Sequence, residues 1–212
     1  ARAIRRMRPE LPLFAETGGK NAMYVSALAD RDLAIRDTIA SAFGHAGQKC
    51  SATSLLVCER EVYEDRGFRE RLADAAASLP VGSAWDPKNM ITPLIEPPRG
   101  ALARALDTLE PSESFLLAPS RDVSNPALVS PAIKLGVREG SFTHQTELFG
   151  PVLAMMCADS LDHGIAIANG TSYGLTGAIH TLDHREQTKW LAAIDVGNAY
   201  VNRGTTGAIV RR

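Results

Sequence analysis

The sequence lacks the features that mark several broad classes of protein. No apolar run approaches the ~18 residues that a membrane-spanning helix needs, and the basic residues at 1–8 are not followed by the apolar stretch of a signal peptide. Only three cysteines occur among 212 residues, an odd number that does not suit a disulfide framework. We therefore expect a cytoplasmic protein that keeps its thiols reduced and has no membrane span.

An excess of charge of either sign is also missing. Lys and Arg number 23 against 24 Asp and Glu, so the formal net charge is −1. Such a balance produces no overall field that would attract nucleic acid or an anionic membrane, and neither partner is expected. Hydrophobic residues make up 45% of the chain, which is enough for a globular domain to bury a core.

Glycine-rich phosphate loops are absent as well. The chain contains neither G-x-G-x-x-G after a predicted strand nor the G-x-x-x-x-G-K-[ST] loop of nucleotide-binding proteins. If a nucleotide takes part in the function, its main phosphate-binding site is therefore expected outside this sequence.

Apolar runs alternate with helix-compatible patterns along the chain. This alternation predicts an α/β fold in which helices flank a layered, mostly parallel sheet. Strands are predicted at 11–15, 22–26, 54–58, 127–135, 152–157 and 199–202. Helices are predicted from Asp30 to about Gly47 and at 68–79, 101–109, 161–169 and 184–194, with a loop at 81–98.

The three cysteines have different surroundings. Cys58 and Cys157 lie in apolar runs and are interpreted as small buried hydrophobic residues. Cys50 instead follows a polar, glycine-containing turn just after a predicted helix, where a substrate could reach a thiolate nucleophile. From these features alone, a catalytic thiol and an ordinary loop cysteine are equally open interpretations.

Glu16 is a second candidate for catalysis. It ends a predicted strand and precedes two glycines that leave room for a substrate, a suitable place for a general base. Taken alone, it is better explained as a strand-end residue that faces water.

His144 and Glu147 are candidate ligands for a metal ion. These residues are three apart and could ligate a metal from one helix. Pro151 follows closely and no third ligand is suggested, so we expect a solvated loop and no metal site.

Five segments, taken in order, resemble the conserved motifs of the aldehyde dehydrogenase superfamily. They span nearly the whole chain, and their number and order make coincidence implausible. The segments are 16–21 (ETGGKN), 43–50 (FGHAGQKC), 147–152 (ELFGPV), Asn169 with 173–176 (YGLT), and 197–202 (GNAYVN).

The resemblance implies a role for each matching residue. Cys50 would attack the aldehyde carbon, the thiohemiacetal would pass hydride to NAD or NADP, and Glu16 would activate the water that hydrolyses the thioester. Glu147 would hold the nicotinamide ribose, and Phe149 would pack near the nicotinamide.

The resemblance also implies what this sequence leaves out. Residues 1–212 match the catalytic domain, truncated at both ends, and lack the Rossmann-like NAD domain with its phosphate-binding part and an Asn that completes the oxyanion hole. We therefore expect little dehydrogenase turnover from this chain alone, and a homo-oligomer for the full-length protein.

A finer resemblance concerns the substrate. Ser51 beside the cysteine and the segment 205–210 (TTGAIV) look like the glutamate semialdehyde (1-pyrroline-5-carboxylate) dehydrogenase branch of proline catabolism. There, Ser51 and the backbone N–H groups of Gly207 and Ala208 would hold the α-carboxylate of the substrate. The alternative is a Gly/Thr turn that binds no ligand.

Other functions remain as alternatives. The enzyme could oxidise a different aldehyde, or Cys50 could serve a hydrolase with His45, the only histidine nearby in the sequence. A non-catalytic interaction module is the third possibility, although the presence of both Glu16 and Cys50 argues against it.

Overall fold

The computed structural model describes residues 2–12 and 18–207. Within these residues, strands and helices alternate along most of the chain. The strands are β1 (Asn21–Val25), β2 (Thr53–Glu59), β3 (Ser114–Leu117), β4 (Ala132–Leu135), β5 (Val152–Ala158), β6 (Thr176–His180) and β7 (Asn198–Val201). The helices are α1 (Arg2–Met7), α2 (Arg31–Phe43), α3 (Arg60–Glu64), α4 (Arg66–Ala77), α5 (Gly100–Asp107), α6 (Phe142–Gln145), α7 (Leu161–Asn169) and α8 (His184–Ala193), with a short 3₁₀ turn at Gly44–Gly47.

The strands form a single sheet in the order β3-β4-β5-β2-β1-β6-β7 within the described residues. Neighbouring strands are parallel except for β3, which runs antiparallel to β4 at one edge. The predicted α/β architecture, with a mostly parallel sheet flanked by helices, is therefore confirmed.

Alternate residues of the central strands supply two cores on opposite faces of the sheet. On β1, Met23 and Val25 pack in a core with residues of α2, α4 and α5. Ala22 and Tyr24 point the other way, into a core with α7 and α8. Because successive side chains of a strand point to opposite faces, the sheet offers an apolar surface to each layer of helices.

A glycine allows α7 to lie directly on the sheet. A side chain at Gly164 would collide with the Tyr24 ring. That ring also stacks with the buried Trp190 of α8, with 6.2 Å between the ring centroids. Tyr24 therefore packs against both helices of this layer.

Several predicted boundaries differ from the structure. The predicted strand at 127–135 is shorter, because only Ala132–Leu135 pairs with β5, while Val129 makes an isolated bridge with Arg121. The predicted strand at 11–15 falls largely outside the described residues, and residues 11 and 12 are not in a strand. The strands β3 and β6 were not predicted, and β6 lies between β1 and the edge strand β7.

The helix after Asp30 begins as predicted and ends early. The Asp30 side chain accepts hydrogen bonds from the backbone N–H groups of Asp32 and Leu33, which caps the amino end of α2. The helix stops at Phe43, because His45, Ala46 and Gly47 all adopt the left-handed conformation, with φ of 55°, 53° and 70°. Successive left-handed residues are costly for side chains other than glycine, so the surrounding packing must hold this turn in place.

Among the described residues, no helix has the length and apolar character needed to cross a membrane.

A buried ion pair fixes the antiparallel edge of the sheet. The ammonium group of Lys134, on β4, donates to a Glu113 carboxylate oxygen at 2.8 Å and to the Thr108 carbonyl at 2.9 Å. Both charged side chains are only 1% exposed. Burial raises the pKa of the Glu113 carboxyl, but hydrogen bonds and the charge of Lys134 outweigh it, and the net shift is below the ordinary value.

We predict that Lys134→Met lowers the free energy of unfolding by about 3–5 kcal/mol at neutral pH, because it leaves the Glu113 carboxylate buried without its partner. The pKa of Glu113 is lowered in the folded protein, so its contribution is fully present above the unfolded value of 4.5 and is lost as the pH falls through the folded value. The deficit of the variant should therefore shrink in acid. Urea unfolding at several pH values measures it.

The control is Lys189→Met, which removes an exposed ion pair with Asp162 and should cost less than about 1 kcal/mol. A deficit of Lys134→Met that stays constant down to acid pH would assign the effect to packing and contradict the role of the charge.

Candidate active site

Cys50 lies in the loop that connects the left-handed turn to β2, and its side chain is exposed. The strands β1, β2 and β5 are parallel, so the segments that precede them meet at one edge of the sheet. The motif segments around Cys50 and Glu147 precede β2 and β5, and 18–20 precedes β1. The candidate site is therefore built at the amino ends of the strands.

The turn before Cys50 packs closely against the segment that contains Glu147. A side chain at Gly47 would collide with the carbonyl group of Gly150, so only glycine permits this close approach. Gly47 thereby joins the motif 43–50 to the motif 147–152.

Asn21 holds the Cys50 loop from the start of β1. Its buried amide nitrogen donates to the carbonyl oxygens of Cys50 at 2.7 Å and Ala52 at 2.8 Å, while its amide oxygen accepts from the Thr176 N–H at 3.0 Å. The side chain is 2% exposed. A single amide therefore fixes the backbone on both sides of Ser51 and ties it to β6.

Gly19 occupies the narrow space between Cys50 and Glu147. A side chain there would collide with the Cys50 carbonyl oxygen. The Gly19 N–H donates to a Glu147 carboxylate oxygen at 2.9 Å. The motifs that contain Cys50, Gly19 and Glu147 are thus in direct contact.

Gly18 lets a fourth motif approach the same place. A Cβ atom at Gly18 would lie 2.7 Å from the second Glu147 carboxylate oxygen and 3.2 Å from the Tyr173 ring. Tyr173 belongs to the segment 173–176, which leads into β6. Asn169 acts further away, because its amide donates to the Ala193 carbonyl at 2.9 Å and accepts from the Asp195 N–H at 2.9 Å.

Phe149 projects from the same loop. It has a φ of 53° and is 45% exposed, an uncommon combination for a large aromatic residue. Glu147 is half-buried. The loop therefore presents a carboxylate and an accessible aromatic ring close to the Cys50 segment.

Lys20 is buried beneath these loops. Its ammonium group donates to the Ser54 hydroxyl at 2.7 Å, and the residue is 3% exposed. Burial lowers the pKa of Lys20 to about 7, although the negative charge of Glu147 opposes the shift. Its position in the motif gave no sign of this burial.

The predicted substrate contacts are only partly described. Ser51 is half-buried and follows Cys50 directly. Gly207 has a φ of 78°, and its carbonyl accepts a hydrogen bond from Arg203 at 2.9 Å. Ala208 lies outside the described residues, as does the candidate base Glu16.

Thr205 joins the segment 203–207 to the Cys50 loop. Its buried hydroxyl donates to the Ser51 carbonyl at 2.8 Å and lies 2.8 Å from the Thr53 hydroxyl. Its N–H donates to the Ser41 hydroxyl of α2 at 3.1 Å. Thr205 therefore joins the segment 203–207 to the backbone of Ser51.

The other cysteines lie away from this site. Cys58 is fully buried on β2, as predicted, and burial raises the pKa of its thiol. Cys157, on the neighbouring strand β5, is only partly buried, and burial raises its pKa as well. A thiol with a raised pKa is a poor nucleophile, which leaves Cys50 as the accessible candidate.

The solvated loop predicted around His144 is wrong. His144 lies in α6 and is 2% exposed. One ring nitrogen bonds to the Ile167 carbonyl at 3.0 Å and the other accepts from the Gly140 N–H at 3.0 Å. Burial lowers its pKa, so the neutral ring has a structural role in joining α6 to α7.

His45, the possible partner of Cys50 in a hydrolase, is exposed in the left-handed turn. Among the hydrogen bonds of the described residues, none links its imidazole to Cys50.

Comparison with known proteins places these motifs in a family. The sequence model of the aldehyde dehydrogenase family matches residues 3–211. The 1-pyrroline-5-carboxylate dehydrogenase of Bacillus subtilis (strain 168) is 39% identical over 199 residues, which cover 93% of this chain and 38% of the relative. The chain thus spans about two-fifths of the length of the curated relatives it matches.

Solved structures agree with this comparison. Proline utilization A (PutA) from Corynebacterium freiburgense has a TM-score of 0.92 and 47% identity, covering 98% of this chain and 21% of that protein. A 1-pyrroline-5-carboxylate dehydrogenase from Thermus, with bound NAD, has a TM-score of 0.86 and 30% identity, covering 99% and 41%. The predicted resemblance is confirmed, and this chain belongs to the aldehyde dehydrogenase family.

Proposed function

We propose that this chain provides the catalytic domain for NAD(P)-dependent oxidation of L-glutamate γ-semialdehyde to L-glutamate, with Cys50 as the nucleophile. The observation that carries the proposal is the contact among three motifs. Gly19 lies against the Cys50 carbonyl while its N–H binds Glu147, so an accessible thiol and a candidate cofactor contact share one rigid site.

In the first step, the Cys50 thiolate adds to the aldehyde carbon and forms a carbon–sulfur bond. The carbonyl electron pair moves to the oxygen, and the alkoxide needs hydrogen-bond donors. The N–H of Cys50 suits this role, because none of the hydrogen bonds among the described residues uses it. An exposed thiol beside a backbone N–H that has no partner among the described residues supports nucleophilic addition.

For the second step, Glu147 and Phe149 would hold NAD⁺ or NADP⁺, which would supply the hydride acceptor for oxidation of the thiohemiacetal to a thioester on Cys50. Glu16 then removes a proton from water, which attacks the thioester carbon and releases the acid with the free thiol. Glu16 is assigned from its motif, in which it precedes Gly18 and Gly19.

The residues near Glu147 fit a nicotinamide cofactor. Among the described residues, one backbone N–H binds the Glu147 carboxylate, which leaves acceptor sites that could bind the hydroxyl groups of a ribose. The exposed Phe149 ring offers a flat apolar surface for a nicotinamide. We therefore propose Glu147 and Phe149 as cofactor contacts within this chain, and a phosphate-binding part elsewhere in the full-length protein.

Two further features support the choice of substrate. The relatives at 34–39% identity include eight named 1-pyrroline-5-carboxylate dehydrogenases. Ser51 and Gly207 lie in segments that Thr205 joins directly. Hydroxyl and N–H donors suit an α-carboxylate, and we propose Ser51, Gly207 and Ala208 for its binding.

The proposal extends to the setting of the full-length protein. Three free cysteines suit a reducing cytoplasm. A homo-oligomer follows from the family resemblance. Because this chain covers only about two-fifths of the length of its curated relatives, we propose that it has low turnover on its own.

We predict that Cys50→Ser in the full-length enzyme lowers kcat for glutamate semialdehyde by roughly 10⁴-fold or more, because the alcohol replaces the essential thiolate. NADH formation measures the rate. The matched control is Cys157→Ser, which should retain near-wild-type activity. An active Cys50→Ser enzyme would show that the nucleophile lies elsewhere.

A second prediction concerns Asn21. Removing its amide in Asn21→Ala should free the carbonyls of Cys50 and Ala52 and lower kcat by roughly 10–100-fold, because misplacement of a reacting group by about 1 Å has that effect. Alkylation of Cys50 by iodoacetamide should change in the same variant. The control is Asn125→Ala, in an exposed loop. Equal effects of the two substitutions would contradict the positioning role of Asn21.

A further inference from the structure

The Cys50 loop is held through three successive backbone carbonyls. Asn21 donates hydrogen bonds to the carbonyls of Cys50 and Ala52, and Thr205 donates one to the Ser51 carbonyl between them. The two side chains come from opposite parts of the sequence. Asn21 belongs to the central strand β1, whereas Thr205 belongs to the segment that carries Gly207.

The hydrogen-bond directions around Thr205 follow from its single hydroxyl proton. Because that proton is donated to the Ser51 carbonyl, the Thr53 hydroxyl must donate to the Thr205 oxygen. Thr205 is fully buried, so both bonds are protected from water. Its methyl-bearing side chain therefore forms a polar link that water does not readily replace.

A third bond fixes the backbone of the same residue. The Thr205 N–H donates to the Ser41 hydroxyl of α2 at 3.1 Å. Close packing of Gly204 on Ser41 reinforces this, since a side chain at Gly204 would collide with the Ser41 hydroxyl oxygen. The segment 203–207 is thus tied to α2 as well as to the Cys50 loop.

A hydrogen bond also joins the two ends of the segment 203–207. The Arg203 guanidinium donates to the Gly207 carbonyl at 2.9 Å and lies over the Tyr200 ring, 5.0 Å from its centroid. Gly207 therefore occupies a defined place relative to Thr205. We therefore expect a shift of Thr205 to change the position of Gly207 relative to Ser51.

We propose that Thr205 is a positioning residue for substrate specificity, which sets the spacing between Ser51 and Gly207 so that both can bind the α-carboxylate of the aldehyde substrate. The inference rests on the proposed function. It adds that a buried threonine with no contact to substrate determines how strongly a carboxylate-bearing aldehyde is preferred over a simple one.

The expected signature is a selective change in KM. A carboxylate that loses one charge-assisted hydrogen bond binds about tenfold more weakly or worse. An aldehyde without a carboxylate makes no such contact. Its reaction depends on Cys50, whose carbonyl remains bound to Asn21.

The test compares L-glutamate γ-semialdehyde with propanal in the full-length enzyme. Thr205→Val keeps the shape and removes the hydroxyl. It should raise KM for the semialdehyde about tenfold or more, and it should lower kcat/KM for the semialdehyde at least about tenfold more than kcat/KM for propanal. Thr205→Ser retains the hydroxyl and should restore the wild-type KM. The control Thr38→Val removes another buried threonine hydroxyl, one that contacts Met23, and should leave the ratio of the two substrates unchanged.

Three results would overturn the inference: an unchanged KM in Thr205→Val, an equal loss for both aldehydes, or a matching loss in Thr38→Val. An equal loss would assign Thr205 to support of the nucleophile. Failure of the proposed function looks different, because the wild-type enzyme would then show no lower KM for the semialdehyde than for propanal. That result would remove the basis of the inference too.

Discussion

The arrangement of the site depends on the absence of a side chain at Gly19. The backbone of this residue passes so close to Cys50 that a Cβ atom would collide with the Cys50 carbonyl. Its N–H simultaneously binds Glu147. One residue therefore places the segment after Glu16 against the nucleophile loop and the candidate cofactor loop. Gly47, packed on Gly150, makes the second such contact.

These contacts explain why the site lies at the amino ends of the parallel strands. In open α/β sheets, ligands commonly bind beyond the carboxyl ends. Here, the loops that precede β1, β2 and β5 carry the motif residues, and backbone atoms pack directly on backbone atoms. Glycines permit this close packing of backbone on backbone. The left-handed turn at His45, Ala46 and Gly47 leads the chain from α2 into the site. The cost of that turn is consistent with strain held at a functional site.

The sequence predicted the local features of the fold well. Apolar periodicity located β1, β2 and β5, and Asp30 marked the start of α2 correctly. The strand β6 was missed, because its residues, Thr176–His180, include a glycine and follow a glycine-containing turn that resembles a loop. The edge strand β3 was missed because it is only four residues long and three of them pair with β4.

The candidate site was predictable only where a motif could be matched. Cys50 and Glu147 belong to such motifs, and the structure brings their segments together. The roles of Asn21 and Thr205 depend on partners about 150 residues away in the sequence, Thr176 and Thr53. No local sequence pattern predicts such contacts. His144 was misjudged for the same reason, since its partner Ile167 lies on another helix.

The central claim is that Cys50 carries the substrate as a thioester. It is tested most directly by mass spectrometry of the full-length Glu16→Gln enzyme after mixing with glutamate semialdehyde and NAD⁺. Without the base that activates water, the account predicts a covalent glutamyl adduct that accumulates on the peptide containing Cys50. An adduct on Cys58 or Cys157, or oxidation of the aldehyde with no adduct at any cysteine, would contradict it.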